Sequence, residues 1–248
     1  MSQRVKVQRD LVFDAQAGID QNVEGDMLPK RMTSIDWFDQ TTLDTTNDYT
    51  QTLGGDDDAG ALVASGYHGF KGTTGTTDQD VAFLGTALIF DITQNPTIEA
   101  QIEITDVSGT FVFFGFSDAN TETTPASSID GAGGTLANAA ADAAGFVIDG
   151  ELDTSSIYSA SVNTQGAGGT VQNVDSGTDW GDTESHRLRV HLDASGNAYF
   201  YLDGVQCGYI ALAVADVPLC AVLNYGTRNN DGANYVYMRY LAKFQDNP

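Results

Sequence analysis

Two glutamates in one short alternating segment are the first residues in this sequence whose spacing suggests chemistry. In Thr97–Ile104, Glu99 and Glu103 alternate with apolar residues, so both project, with Gln101, from one face of a β-strand. Two carboxylates can act as nucleophile and acid on a glycosidic bond when they lie about 5–5.5 Å apart. The pattern is also that of a solvated strand face, which is the interpretation we favour.

Other residue types give weaker indications of catalysis or metal binding. His186 and His191 fall on opposite faces of one strand, so they cannot readily share a metal ion. The sequence has no Gly-x-Ser-x-Gly turn for a nucleophile and no Cys/His cluster for zinc. Cys207 and Cys220 are expected to be small buried hydrophobic residues and not a disulfide.

Calcium is the ion that the sequence best accommodates, because loop carboxylates supply the hard oxygen ligands that it prefers. The candidate residues are Asp56, Asp57 and Asp58; Asn229–Asp231 and Asp118 with Asn120 are further oxygen-rich segments. None of these segments has EF-hand spacing, and turn formation by Asp and Asn explains them equally well. No other cofactor is expected.

The charge is strongly acidic and unevenly distributed. A net charge of −23 argues against nucleic acid and anionic membranes as partners. Residues 1–31 carry five basic and five acidic residues, so the remaining chain holds the whole excess. We expect a basic N-terminal arm that docks onto acidic neighbours, including copies of the same chain; its docking residues are Arg4, Lys6, Arg9, Lys30 and Arg31.

Antiparallel β-structure must position all these residues. His186–Gly204 predicts strand, turn, strand and turn, since Leu188, Val190 and Leu192 alternate with polar residues and Asp203-Gly204 is a hairpin signal. Thr110–Ser117 is apolar on both faces, which predicts a central, covered strand. Ala137–Ala144 suggests one short helix. About a dozen such strands predict an all-β sandwich over 37–248, preceded by an extended arm over 1–36.

The expected buried layer consists of large apolar residues from most of these strands. They are Phe83, Leu88, Phe90, Ile102, Phe111, Phe113, Phe146, Leu188, Val190, Phe200, Val222, Val236 and Met238.

Three segments resemble the concanavalin A-like lectin/glucanase superfamily, which includes laminin G-like modules. They are Pro96–Ala119, His186–Gly204 and Asn234–Phe244. The resemblance implies a two-sheet jelly-roll sandwich. Glucanases of this superfamily carry a Glu-x-Asp-x-(x)-Glu signature on one concave strand; here Gln101 stands in place of the central Asp, so we do not expect an enzyme.

Lectins of this fold bind sugars through loop Asp and Asn with a stacking aromatic. The matching candidates here are Tyr225, Asn229, Asn230, Asp231 and Tyr235. The numerous strand tyrosines equally fit a protein–protein interface, which we favour.

The acidic, Gly/Thr/Ala-rich composition also resembles bacteriophage virion proteins. The sequence-based hypothesis is therefore a non-enzymatic structural protein that decorates or cements a capsid. It would assemble in the host cytoplasm, lie on the virion surface and contact capsid proteins and copies of itself, a trimer being one arrangement. The first alternative is a carbohydrate-binding module of a tail fibre or adhesin, and the second is a glycoside hydrolase.

Overall fold

The computed structural model describes residues 31–40, 42–53, 58–63, 69–77, 81–120, 128–130, 135–137, 140–150, 156–163, 172–228 and 233–246. These residues form two antiparallel sheets packed face to face, with one 3-10 turn at Ile92–Gln94. The predicted all-β, two-sheet jelly-roll sandwich is confirmed.

The first sheet contains eight strands. They are β1 (Arg31–Asp36), β3 (Asp58–Leu62), β4 (Phe70–Thr73), β6 (Thr97–Ile104), β13 (Ser185–Leu192), β14 (Ala198–Leu202), β15 (Val205–Ile210) and β17 (Tyr235–Asp246). Their order is β15-β14-β13-β6-β17-β4-β3, and β1 also pairs with β17. Because Arg31 pairs with Asp246 and Asp36 with Leu241, residues 31–36 belong to this sheet, although we expected them in the arm.

The second sheet contains seven strands. They are β2 (Tyr49–Leu53), β5 (Val81–Thr86), β7 (Thr110–Ser117), β10 (Asp142–Asp149), β11 (Ser156–Asn163), β12 (Gln172–Asp179) and β16 (Cys220–Thr227). The order is β12-β11-β10-β7-β16-β5-β2. A separate hairpin joins β8 (Ser128–Asp130) to β9 (Thr135–Ala137), and β8 lies against β10.

The main core lies between the sheets. Phe146 packs edge-on against Phe200 with ring centroids 5.5 Å apart, and Phe90 packs against Phe116 at 5.2 Å. Every member of the predicted buried layer is buried except Leu88, which lies after β5 and is 41% exposed. Burying apolar side chains of this size stabilises a fold by about 1.5–3 kcal/mol each.

The outer face of the second sheet is also apolar and buried. Phe83, Phe111, Phe113, Val147 and Val222 form a second cluster there, and none is more than 1% exposed. The prediction that Thr110–Ser117 is a covered central strand is therefore confirmed. The outer face of the first sheet, by contrast, carries the polar side chains of β6 and β13.

Candidate functional site

An open groove of about 820 Å³ lies on the outer face of the first sheet. It is lined by Trp37, Gln101, Glu103, Ser185, Arg187, Asp203, Arg239 and Tyr240. Strand alternation explains the composition: on β6 and β13 the neighbours of these polar residues, such as Ile102 and Leu188, point into the core. The groove is thus made from the solvent-facing side chains of adjacent strands.

Two aromatic rings form one wall of the groove. Trp37 follows β1 and is 50% exposed, and its ring centroid lies 5.3 Å from that of Tyr240. Tyr240 faces outward because the pairing of β17 with β6 shifts register between Met238 and Leu241. Exposed aromatic surface of this kind can stack against the apolar face of a sugar ring.

The two glutamates singled out in the sequence are held apart. The Arg189 Nε donates to Glu99 over 2.7 Å, and the Tyr240 hydroxyl donates to the same carboxylate over 2.6 Å. Glu103 instead accepts from Arg239 Nη2 at 2.8 Å. Four residues of strand separate the Cα atoms of the two glutamates by about 13 Å. This pair is therefore not arranged as a nucleophile and an acid about 5–5.5 Å apart.

Tyr240 remains a hydroxyl donor in this arrangement. Burial raises the pKa of Tyr240, and its hydrogen bond to the Glu99 carboxylate raises it further. Glu99 is consequently bound from two sides, which leaves Glu103 as the β6 carboxylate that lines the groove.

Asp203 is the carboxylate on the opposite side of the groove. It lies in the turn between β14 and β15, where its Oδ1 accepts the Arg187 N–H over 2.8 Å and its Oδ2 lies 2.8 Å from His186 Nδ1. Burial raises the pKa of Asp203, but the bonds from Arg187 and His186 outweigh it and hold the pKa below its ordinary value. Asp203 is therefore ionised at neutral pH.

Glu103 and Asp203 lie two strand spacings apart across the sheet and two residues apart along the strand direction. Arg187 lies opposite Gln101 on β6 and beside Asp203, which places the Glu103 and Asp203 Cα atoms about 12 Å apart. Carboxyls about 6.5–9.5 Å apart leave room for a water molecule in inverting glycosidases. The backbone separation permits that span once the side chains leave the partners that hold them here, which are the Arg187 N–H and His186 for Asp203 and Arg239 for Glu103.

The sugar-binding residues predicted from the sequence do not come together here. Tyr225 is 0% exposed and packs on Phe70 in the core, so its predicted contact with a glycan is wrong. Tyr235 lies on the first sheet, with Lys71 Nζ 3.5 Å from its ring centroid. Asn229, Asn230 and Asp231 lie outside the described residues.

Most of the predicted calcium and arm residues also fall outside the described part of the chain. The residues outside it are Asp56, Asp57, Arg4, Lys6, Arg9 and Lys30. Asp58 begins β3 and Arg31 begins β1. The described residues contain no group of three or more His, Cys, Asp or Glu placed to hold a metal. The calcium site and the docking arm stay predictions. Both cysteines are free; Cys220 is buried as expected, whereas Cys207 is only partly buried.

Sequence reasoning missed Trp37, Asp203 and Tyr240 as groove residues. We interpreted Asp203 as a turn residue, and the turn is what places it beside β13. No pattern in the sequence indicates the register shift that turns Tyr240 outward.

Comparison with known proteins identifies the architecture. No protein-family model and no curated protein matches the chain. A glycoside hydrolase family 16 endo-glucanase from Bacteroides ovatus superposes with a TM-score of 0.60 at 12% identity, covering 84% of this chain and 98% of that one. The catalytic domain of an endo-1,3-β-glucanase (laminarinase) from Thermotoga petrophila gives 0.58 at 14%, covering 87% and 97%.

A third similar structure is a Shewanella oneidensis protein of unknown function, with a TM-score of 0.55 at 9% identity and 87% coverage of both chains. At such identities the likeness establishes the shared sandwich fold and not an activity.

These comparisons correct two predictions. The similar structures described above include a family 16 endo-glucanase and a laminarinase, which contradicts the predictions of a virion structural role and of a protein without enzymatic activity. They give the tail-fibre or adhesin binding module no better support, and the bacteriophage resemblance is unsupported.

The described residues include no helix with the length and apolarity to cross a bilayer. The expectations about nucleic acid, self-association and localisation stay predictions.

Proposed function

We propose that the protein hydrolyses glycosidic bonds of a polysaccharide bound in the groove on the outer face of the first sheet. The observation that carries this proposal is the position of the Trp37–Tyr240 pair beside two carboxylates, Glu103 and Asp203, that line one groove. The similarity in fold to family 16 endo-glucanases and laminarinases supports glycan hydrolysis as the reaction.

The two carboxylates would divide the reaction between them. Asp203, ionised in this environment, accepts a proton from water as the water attacks the anomeric carbon. Glu103 is the group assigned to donate a proton to the leaving oxygen as the glycosidic bond breaks. The net reaction consumes one water molecule. Glu103 can take this part only once the bound sugar draws the Arg239 guanidinium away from it.

The site departs from the glucanase signature, because Gln101 occupies the central acidic position on β6. Asp203 supplies the second carboxylate from a neighbouring turn instead. The polymer is therefore best identified by screening neutral polysaccharides, including laminarin and mixed-linkage glucan, together with acidic ones.

The test is release of reducing ends from such a panel by the full chain and by Glu103→Gln and Asp203→Asn. We expect each substitution to lower the rate by about 10²–10⁴-fold, the usual contribution of an acid or base group. Asp216→Asn is the matched control, because Asp216 is an exposed carboxylate outside the groove. Undiminished release by both groove variants would overturn the assignment, and sugar binding without release from any polymer would overturn hydrolysis.

A further inference from the structure

We infer that the groove recognises an anionic polysaccharide, one that bears carboxylate or sulfate groups. That this polymer is also the substrate rests on the proposed function; the binding preference itself does not. The inference starts from where the basic residues of an otherwise acidic protein lie.

Most of the basic residues after residue 31 lie on one face of the first sheet. The chain has eleven Lys and Arg, five of which lie in residues 1–31, leaving six to accompany 29 acidic residues. Four of these six project from the outer face of the first sheet: Lys71, Arg187, Arg189 and Arg239. Of the other two, Arg228 is buried against Asp149 and Lys243 lies near Tyr49.

Three of the four cations on this face are already engaged by aromatic rings. Lys71 lies over Tyr235, Arg189 lies 5.9 Å from the Tyr201 ring centroid, and Arg239 lies 5.4 Å from that of Tyr237. Arg189 and Arg239 are also ion-paired, to Glu99 and Glu103. These contacts hold the side chains against the sheet and make the face both aromatic and basic.

Arg187 is the exception. Its backbone N–H donates to Asp203, but within the described part of the chain its guanidinium makes no hydrogen bond or ion pair, and it lines the groove. A guanidinium offers paired N–H donors that match a carboxylate or sulfate. The Arg187 charge acts on Asp203 only through space, and a neutral polysaccharide would leave its guanidinium without a charged partner in direct contact.

The overall charge of −23 does not forbid a polyanion. At physiological ionic strength charges are screened beyond about 8 Å, so a ligand in the groove responds mainly to the charges that line it, where Arg187 and Arg239 lie beside Glu103 and Asp203. The more distant carboxylates of the body oppose the approach of the polymer, and added salt weakens both effects.

The test is calorimetric titration of the full chain with matched pairs of polymers. Pectate and κ-carrageenan supply carboxylate and sulfate, and laminarin and agarose are the neutral counterparts. We expect tighter binding of at least one anionic polymer than of its neutral counterpart. Arg187→Gln should lower the affinity for that polymer about tenfold. Arg187→Lys should recover part of the affinity, because lysine keeps the charge but not the paired N–H donors of the guanidinium. Lys243→Gln removes one positive charge outside the groove and should leave the affinity unchanged.

The outcomes separate this inference from the proposed function. Equal binding of neutral and anionic polymers, or equal losses with Arg187→Gln and Lys243→Gln, would overturn the anionic preference even if neutral polymers are hydrolysed. Anionic binding that depends on Arg187, with no release of reducing ends, would sustain the inference and overturn hydrolysis. Binding of carboxylate but not sulfate polymers, or the reverse, would support the inference and identify the anion.

Discussion

Asp142, at the start of β10, is a buried carboxyl whose ionisation opposes folding. Its Oδ1 accepts the Ala215 N–H over 2.7 Å, whereas its Oδ2 is buried with no hydrogen-bond partner in the described part of the chain. Burial is the main reason that the pKa of Asp142 lies above its ordinary value of 3.8. The hydrogen bond from Ala215 lowers this pKa, and the charge of nearby Asp118 raises it. Its stabilising contribution is therefore complete below pH 3.8 and is lost as the pH rises through the folded-state pKa.

We predict that Asp142→Asn is more stable than the wild type at pH 7 by about 1–3 kcal/mol, because an amide keeps the Ala215 bond without a buried charge. Urea unfolding at pH 4, 5.5 and 7 should show a difference between the proteins that grows with pH. Asp118→Asn should shrink that growth. Parallel stability curves for wild type and Asp142→Asn would contradict the account.

Arg228 and Asp149 form a buried ion pair that depends on both partners. Arg228 Nε and Nη2 donate to the two Asp149 oxygens at 2.9 and 2.8 Å, and both residues are at most 2% exposed. We predict that Arg228→Met costs about 3–5 kcal/mol, because it leaves a carboxylate buried without its cation. The double variant Arg228→Met/Asp149→Leu should lose less in urea unfolding at pH 7. A double variant less stable than the single one would refute this explanation.

The position of a single residue could be predicted from the sequence only where strand alternation determines which face of the sheet it occupies. Glu99 and Glu103 do lie on the solvent side of β6, as predicted, but their partners come from distant strands. Asp203 approaches His186 across seventeen residues of chain, and Trp37 reaches Tyr240 across the pairing of β1 with β17. These contacts follow from tertiary register, which local spacing does not report.

At the level of elements, β7 and β10 come together through two glycines that face each other, Gly115 and Gly145. A Cβ on Gly115 would collide with the backbone of Ala144 and Gly145. We predict that Gly115→Ala costs about 1–3 kcal/mol or more, because backbone atoms of a central strand cannot move aside cheaply. Thermal unfolding measures the loss.

Gly181→Ala is the control for that substitution. The atoms nearest to its added Cβ would be those of the exposed Glu184 carboxylate, a flexible group. Equal losses from Gly115→Ala and Gly181→Ala would show that strand contact is not the cause.

The helix predicted for Ala137–Ala144 is wrong, and the reason lies at the same scale. β9 ends at Ala137, and Asp142–Asp149 forms β10 between β7 and β11. Alanine has the highest intrinsic helix propensity, but propensity is a small term for each residue, and two rows of interstrand hydrogen bonds outweigh it here. The strongly alternating strands were predictable because burial on one face requires that pattern.

For the whole molecule, the net charge of −23 makes self-repulsion a cost of folding. We predict that raising NaCl from about 20 mM to 0.5 M raises the melting temperature, since screening lengths fall to a few ångströms in this range. CaCl2 at equal ionic strength tests the calcium prediction at Asp56–Asp58: a further rise supports a specific site, and an identical rise contradicts it. A melting temperature insensitive to NaCl would refute the self-repulsion argument.

The fold as a whole was predictable, and the function was not. Turn signals and two-residue alternation sufficed for an antiparallel sandwich, because they reflect local backbone and burial requirements. The composition led to a virion structural role, which the structural comparisons contradict, because acidity and glycine content describe surface and loops and not the groove.

The most direct test of the central claim is a crystal structure of Glu103→Gln with an oligosaccharide taken from a polymer that the wild type cleaves. We expect sugar rings against Trp37 and Tyr240, with a glycosidic oxygen beside residue 103 and a water or open space next to Asp203. Sugar bound on another surface, with the groove empty, would contradict it.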